Sequence, residues 1–159
     1  MIYKTTENTR RCNNALKKEY AYKNKNEEQN QMKTYVIRLN PGDDLKESIH
    51  EHVRRNKITA GYIVTCVGSL KKAVLRLADE RLKTYEETFE IVSLVGTVSQ
   101  DGVHLHMSLA DATGNVIGGH VKEGCIVYTT AEIVLGQEEG MKFTREYDKE
   151  TGFKELKIR

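Results

Sequence analysis

The stretch of residues 102–121 constrains the fold more than any other part of the sequence, because two short runs are joined there by a turn. In the first run apolar residues alternate with others, and His104 and His106 lie at the intervening positions. This alternation is typical of a strand that buries one face. The connecting residues 111–114 include Asp, Thr and Gly, which favour a short turn. The sequence therefore predicts a β-hairpin.

The length of the turn fixes the pairing of the two strands. A three-residue loop at 112–114, with its glycine in the left-handed conformation, would pair Asp111 with Asn115. The same register, carried back along the strands, sets His106 directly opposite His120. Directly opposed side chains share a face and have Cβ atoms about 5 Å apart.

The predicted register brings three imidazoles together, because His104 lies two residues from His106 on the face that also carries His120. Three neutral imidazoles that leave a fourth position open are typical of catalytic zinc sites, whereas structural sites usually fill all four. We therefore predict that His104, His106 and His120 bind zinc or another divalent transition metal. The alternative is a solvated polar face, and a loop one residue shorter or longer would move His120 to the opposite face.

Composition divides the chain into a polar extension and a patterned domain. Residues 1–31 hold few apolar residues, six Asn, and seven Lys and Arg against four Glu, which gives this segment a charge of +3. Such a composition favours disorder. The whole chain of 159 residues carries +2, so residues 32–159 carry −1 and are long enough for one sizeable core. We predict one domain beginning at Met32, and the sequence leaves open whether Met1 or Met32 is the true start of translation.

Charge and hydropathy disfavour several classes of protein. The sequence has no run of about 18 apolar residues, so no membrane span is expected. An apolar signal segment is absent from the N-terminus given. Three widely spaced cysteines, Cys12, Cys66 and Cys125, suit free thiols in a reducing compartment, and we expect a cytoplasmic protein. The charge of −1 on the domain lacks the basic excess typical of nucleic-acid binding.

The remaining pattern predicts one helix and several strands. Asp44 followed by Glu47 is typical of a capping box, and apolar residues at helical spacing predict a helix over residues 44–56. The predicted strands are residues 34–39, 60–67, 73–78, 89–98, 124–128, 131–135, 142–147 and 153–158. Residues 89–98 are apolar at most positions, which predicts a central strand covered on both sides. The sequence thus predicts an α+β fold with a mostly antiparallel sheet and one main amphipathic helix.

An ordered set of motifs carries a resemblance to a known family. The motifs are Gly68-Ser69-Leu70, Phe89-Glu90-Ile91-Val92, His104-Leu105-His106-Met107, Gly118-Gly119-His120-Val121 and Glu132-Ile133-Val134-Leu135. Over residues 34–135 they closely resemble the plant- and prokaryote-conserved (PPC) domain. The resemblance implies a PPC-domain-like fold, a homotrimer and a DNA-binding protein, and bacterial members with the three-His pattern look like metal binders.

Two functions follow from these patterns. The first is a PPC-type DNA-binding or regulatory protein with a three-His metal site, although the AT-hook core of plant members, Arg-Gly-Arg-Pro, does not occur in this sequence. The alternative is a zinc-dependent lyase or hydrolase acting on a small oxygen-rich substrate, since the fold also resembles that of the zinc enzyme acetolactate decarboxylase. For an enzyme, Glu132 or Glu90 could transfer a proton and Arg76 could hold a carboxylate. For each of these three residues taken alone, we favour the alternative that it is an ordinary strand residue paired at a rim or an interface.

Overall fold

The computed structural model describes residues 32–159, so the predicted extension over residues 1–31 lies outside the described residues. Within that range the chain forms nine strands and one helix. The elements are β1 (Lys33–Leu39), α1 (Leu45–Arg55), β2 (Gly61–Arg76), β3 (Leu82–Tyr85), β4 (Phe89–Ser99), β5 (Gly102–Ala110), β6 (Val116–Val121), β7 (Ile126–Gln137), β8 (Phe143–Tyr147) and β9 (Lys154–Ile158). The strands pair antiparallel, and the predicted α+β class is confirmed.

The main sheet partly closes on itself. Its strand order is β1-β7-β2-β4-β5-β6, with β3 beside β2. Strand β6 also pairs with the end of β2, where Leu75 faces Val121 and Arg76 faces His120. Because β2, β4, β5 and β6 form a closed circuit of pairings, this part of the sheet resembles a small barrel. Strands β8 and β9 form a separate two-stranded sheet.

Helix α1 forms where the sequence predicts it. The side chain of its N-cap residue Asp44 accepts hydrogen bonds from the backbone N–H groups of Lys46 (2.9 Å) and Glu47 (3.0 Å). These bonds satisfy donors that have no partner inside the helix. The apolar stripe of the helix is fully buried and consists of Leu45, Ile49 and Val53. This stripe packs against the sheet and covers its inner face.

Two strands are longer than the sequence pattern predicts. Strand β2 continues through Gly68, where two shorter strands were expected, and β7 likewise joins two predicted strands. At Gly68 the φ angle is +143°, and a Cβ atom would lie 2.1 Å from the carbonyl oxygen of Thr130. The pairing of β2 with β7 shifts register at this point. The glycine therefore allows a bulge with close backbone approach, and does not form a turn.

Strand β4 is covered on one side only within the subunit. Its residues Phe89, Ile91 and Leu94 belong to the core, but Val92 and Val95 are 57% and 55% exposed. The prediction of a strand covered on both sides is therefore wrong for a single subunit. Other exposed valines lie on β1 and β2 of the same sheet, and the set that we call the outer valine face consists of Val36, Val64, Val67, Val92 and Val95.

Two further expectations concern the membrane and the cysteines. No helix among residues 32–159 is long and apolar enough to cross a membrane. Cys66 and Cys125 are buried free thiols in the core, as their apolar surroundings in the sequence predict. Burial raises the pKa of Cys66 to about 12 and that of Cys125 to about 11. Both side chains therefore stay protonated and serve as core residues.

Candidate metal centre

The hairpin β5–β6 has the predicted loop and register. The backbone N–H of Asp111 donates to the carbonyl of Asn115 at 3.0 Å, and that of Gly114 donates to the carbonyl of Asp111 at 3.0 Å. Gly114 has a φ of +83°, the left-handed conformation that the three-residue loop requires. Carried along the strands, this register places His106 directly opposite His120.

The three histidines form one cluster on the outer face of the hairpin. The ring centroids are 5.1 Å apart for His104 and His106, 5.0 Å for His104 and His120, and 5.4 Å for His106 and His120. One nitrogen from each ring lies within 4.8 Å of the other two. The Nε2 atoms of His104 and His106 are 3.2 Å apart, close to the about 3.3 Å between two nitrogens on a tetrahedral zinc ion.

A pair of glycines allows β6 to bring His120 into the cluster. A Cβ atom on Gly118 would lie 2.7 Å from the carbonyl oxygen of Met107, and one on Gly119 would lie 2.9 Å from the carbonyl oxygen of Arg76. Real Cβ atoms essentially never approach other atoms this closely. Strand β6 therefore fits between β5 and β2 because these two residues have no side chain.

The environment of the cluster keeps two imidazoles neutral. Burial, followed by the charge of Arg76, lowers the pKa of His120 to about 4. Burial has the largest effect on His104 and lowers its pKa, and the charges of Arg145 and His106 lower it further. The Nδ1 atom of His120 is buried and has no hydrogen-bond partner among residues 32–159. Neutral imidazoles, one with an unpartnered nitrogen, fit the donor set that zinc requires.

A cleft of about 280 Å³ lies beside the cluster, and His104 and His120 form part of its wall. The opposite wall belongs to the β8–β9 hairpin, and β2 and the turn before β5 complete the lining. The charged and aromatic residues in the wall are Arg76, Asp101, Arg145, Phe153, Lys154 and Glu155. A metal ion on the cluster would therefore lie next to a space that a small molecule can enter.

Arg145 joins the C-terminal hairpin to the histidine cluster. Its Nη2 donates to Oγ1 of Thr97 at 2.6 Å, and its Nη1 lies 3.4 Å from Nδ1 of His104. A guanidinium group has only donors, so Nδ1 of His104 is the acceptor in this contact. The sequence prediction missed Arg145, because its partners lie 41 and 48 positions earlier and nothing in the local pattern distinguishes it from the other basic residues of the hairpin.

The three residues to which the sequence analysis gave possible catalytic or substrate-binding roles lie apart from one another in the structure. Arg76 lies at the cleft, opposite His120 and with its guanidinium carbon 5.4 Å from the centre of the Phe153 ring. Glu90 is paired at the other end of the β4–β5 ladder, and Glu132 lies between β1 and β2. Neither glutamate lines the cleft. Only Arg76 of the three is therefore positioned to act beside the cluster.

The family of the chain follows from comparison with known proteins. A family model described as the Plants and Prokaryotes Conserved (PCC) domain matches residues 26–139, and the chain belongs to this family. The chain is 45% identical over 128 residues to the Bifunctional protein GlmU of Synechococcus sp. (strain JA-2-3B'a(2-13)). The matched segment covers 80% of this chain and 20% of that protein. It thus spans about a fifth of the length of this curated relative.

Solved structures share the fold over most of both chains. A hypothetical protein from Salmonella cholerae-suis is 36% identical with a TM-score of 0.79, covering 82% of this chain and 96% of that chain. A metal-containing protein from Archaeoglobus fulgidus is 28% identical with a TM-score of 0.70, covering 81% of this chain and 96% of that chain. The family resemblance predicted from the sequence motifs is therefore confirmed.

Proposed function

We propose that His104, His106 and His120 bind one zinc-like divalent ion per subunit and leave a coordination position open. The observation that carries this proposal is the register of the hairpin, which sets His106 opposite His120 and brings three imidazole nitrogens within 4.8 Å of one another. The similarity to a metal-containing protein from Archaeoglobus fulgidus supports it. When bound, such an ion supplies a Lewis acid and a water of lowered pKa.

A metal centre beside a cleft suits metal-dependent chemistry on a small oxygen-rich substrate, which is the lyase or hydrolase function that the sequence offers as an alternative. The cleft of about 280 Å³ lies just below the roughly 300–1,000 Å³ of typical ligand pockets, which suits a molecule smaller than most ligands. Asp101 and Glu155 are the carboxylates in its wall. In an enzyme these two residues would replace Glu90 and Glu132 as candidates for proton transfer, since a general acid or base must come within hydrogen-bond reach of the substrate.

A DNA-binding or regulatory function is the second candidate, and the PPC family resemblance favours it. Residues 32–159 carry a charge of −1, however, and most affinity for DNA comes from basic residues that neutralise phosphates. The +3 charge lies on residues 1–31. If this protein contacts DNA, the basic extension is therefore the segment that would do so.

A homotrimer, as the family resemblance implies, is supported by the outer valine face. Val92 and Val95 on β4 and Val64 and Val67 on β2 are each more than half exposed. Contiguous exposed apolar side chains mark surfaces that are covered by a partner. We propose that copies of this chain cover the face in the assembled protein. The buried free thiols of Cys66 and Cys125 support the cytoplasmic location that we expect.

Elemental analysis of the purified full chain tests the metal proposal. We expect nearly one zinc-like ion per subunit, and its loss in a His106→Ala variant. A His50→Ala variant is the matched control, because His50 lies on helix α1 outside the cluster and should leave the metal content unchanged. A parent protein that is purified without metal and also fails to take up added zinc would refute the metal centre.

A further inference from the structure

We propose that Arg76 and Arg145 form a binding site for the carboxylate of a small organic acid beside the histidine cluster, an inference that rests on the metal centre proposed above. The two arginines reach the same cleft from different elements, β2 and β8. Among residues 32–159, none of the ion pairs within 4.0 Å includes either arginine. Two guanidinium groups thus line one cleft with no carboxylate of the described part of the chain within 4.0 Å, and Glu155 in the same wall acts on Arg145 only through its charge at longer range.

Each guanidinium group is held in place while some of its donors remain free. Arg145 uses Nη2 to bind Thr97 at 2.6 Å, and Arg76 lies over the ring of Phe153. Stacking against an aromatic ring orients a guanidinium group but uses none of its N–H donors. Since each group has five such donors in a planar fork, both arginines can still bind the two oxygens of a carboxylate.

The charge of the cleft suits an anionic ligand. Arg76, Arg145 and Lys154 contribute three positive charges to the wall, and Asp101 and Glu155 contribute two negative charges. One positive charge is left over before any metal ion binds. A divalent ion on the histidines would raise this excess to three positive charges, so the cleft attracts anions, and Asp101 and Glu155 repel a phosphate dianion more strongly than a monoanionic carboxylate.

The ligand also requires a second oxygen and a short carbon skeleton. An oxygen beside the carboxylate could fill the open position on the metal centre, which three histidines leave unsatisfied. The ring of Phe153 offers an apolar wall to the carbon atoms of the ligand. The chemical class that combines these features is a small 2-hydroxy or 2-oxo acid.

The contact between Arg145 and His104 links the two sites. His104 directs Nε2 toward His106 and Nδ1 toward Arg145. A histidine that binds a metal through Nε2 carries its proton on Nδ1. This N–H would then face the donors of Arg145, so the guanidinium must turn away from His104 and can pair with an anion in the cleft. Metal and carboxylate should therefore strengthen each other's binding.

Isothermal titration of the full chain with L-lactate tests this inference, using both zinc-loaded protein and protein stripped with EDTA. We expect lactate to bind more tightly to the zinc-loaded form and the neutral analogue lactamide not to bind. Arg76→Gln and Arg145→Gln should each weaken lactate binding by about tenfold or more, as expected for loss of a charge-assisted hydrogen bond, without changing the zinc content. Arg145→Lys keeps the charge but loses the fork, and it should also weaken binding.

The control variant is Lys149→Gln, which removes a positive charge from the same hairpin outside the cleft and should leave lactate binding unchanged. Zinc uptake without lactate binding, or with binding insensitive to both arginines, would overturn the carboxylate site and leave the metal centre standing. Lactate binding that depends on both arginines in a protein that takes up no zinc would support the carboxylate site and refute the metal centre. Tighter binding of inorganic phosphate, with the same dependence on the arginines, would overturn the assignment to a carboxylate.

Discussion

Arg76 lies directly opposite His120 across the β2–β6 strand pair, so a permanent positive charge faces one imidazole of the cluster. Burial and this charge together lower the pKa of His120 to about 4. The ring is therefore neutral at physiological pH even without a metal ion. Its position on β6 depends in turn on Gly119, whose missing side chain lets the strand approach β2.

The pH dependence of stability should report the lowered pKa of His120. Between about pH 6.5 and pH 4 the unfolded chain binds a proton that the folded chain does not, so stability should fall as the pH drops through this range. Urea unfolding of metal-free protein measures this slope, and His120→Asn should make it shallower. His50→Asn should keep the parental slope. An equally steep slope in both variants would contradict the assignment.

Replacing Gly119 with Ala should damage both the fold and the metal centre. The new Cβ atom would lie 2.9 Å from the carbonyl oxygen of Arg76, so β6 must shift. We expect a loss of about 1–3 kcal/mol in the free energy of unfolding, as for other overpacked sites, together with weaker zinc binding. Chemical denaturation and zinc titration measure the two effects. Val116→Ala, an exposed change on the same strand, should have little effect on either.

A single charge on the outer valine face should disrupt self-association. Val95 is 55% exposed, and Val95→Lys would place an ammonium group within the apolar surface that we propose to be covered. Size-exclusion chromatography with light scattering should show a trimer for the parent and smaller species for the variant. Ile158→Lys changes an equally exposed apolar residue on the separate β8–β9 sheet and should leave the trimer intact. A monomeric parent would refute the proposed assembly.

Residues 32–159 should bind duplex DNA weakly and without sequence preference. Because they carry a net charge of −1, they have no basic excess to neutralise DNA phosphates and release the bound counterions. The sequence also has no AT-hook core. Binding to random and A·T-rich duplexes over a range of salt concentrations measures both affinity and specificity. Tight, selective binding near physiological salt would restore the DNA-binding function for the domain. Binding by the full chain alone would identify residues 1–31 as the contact.

A chain that begins at Met32 should retain the stability of the full chain. Among residues 32–159, every buried residue that we assign to the core lies between Leu39 and Leu135. The polar composition of residues 1–31 offers little apolar surface to add to this core. Thermal melting of the two chains should give midpoints within a few degrees of each other. A large decrease in the shorter chain would show that the extension contributes to the folded domain.

The hairpin and its histidines could be predicted because the information is local. A loop of three residues ending in Gly114 fixes the register of β5 against β6, and the register determines which side chains meet. The helix is predictable for the same reason, since Asp44 and a regular apolar stripe lie within a few turns of each other.

Features that depend on distant partners could not be read from the sequence. Arg145 meets His104 and Thr97 only because the last hairpin folds back over β5. In the sequence, Gly68 is typical of a turn. In the structure a glycine is required at this position because β7, which is distant in the sequence, approaches it closely. The apolar pattern of β4 indicates that both of its faces avoid water, without indicating whether the core or another subunit covers them.

The C-terminal hairpin, β8 and β9, lies beyond residue 139, where the match to the family model ends. The three histidines lie within the matched segment, while Arg145 and Phe153 lie outside it. The proposed metal ligands and one wall of the cleft are thus encoded by separate stretches of the gene. On the proposed function, substitutions in the final stretch would change the wall of the cleft that faces the ligand while the three histidines stay unchanged, so ligand choice and metal binding could vary independently in this chain.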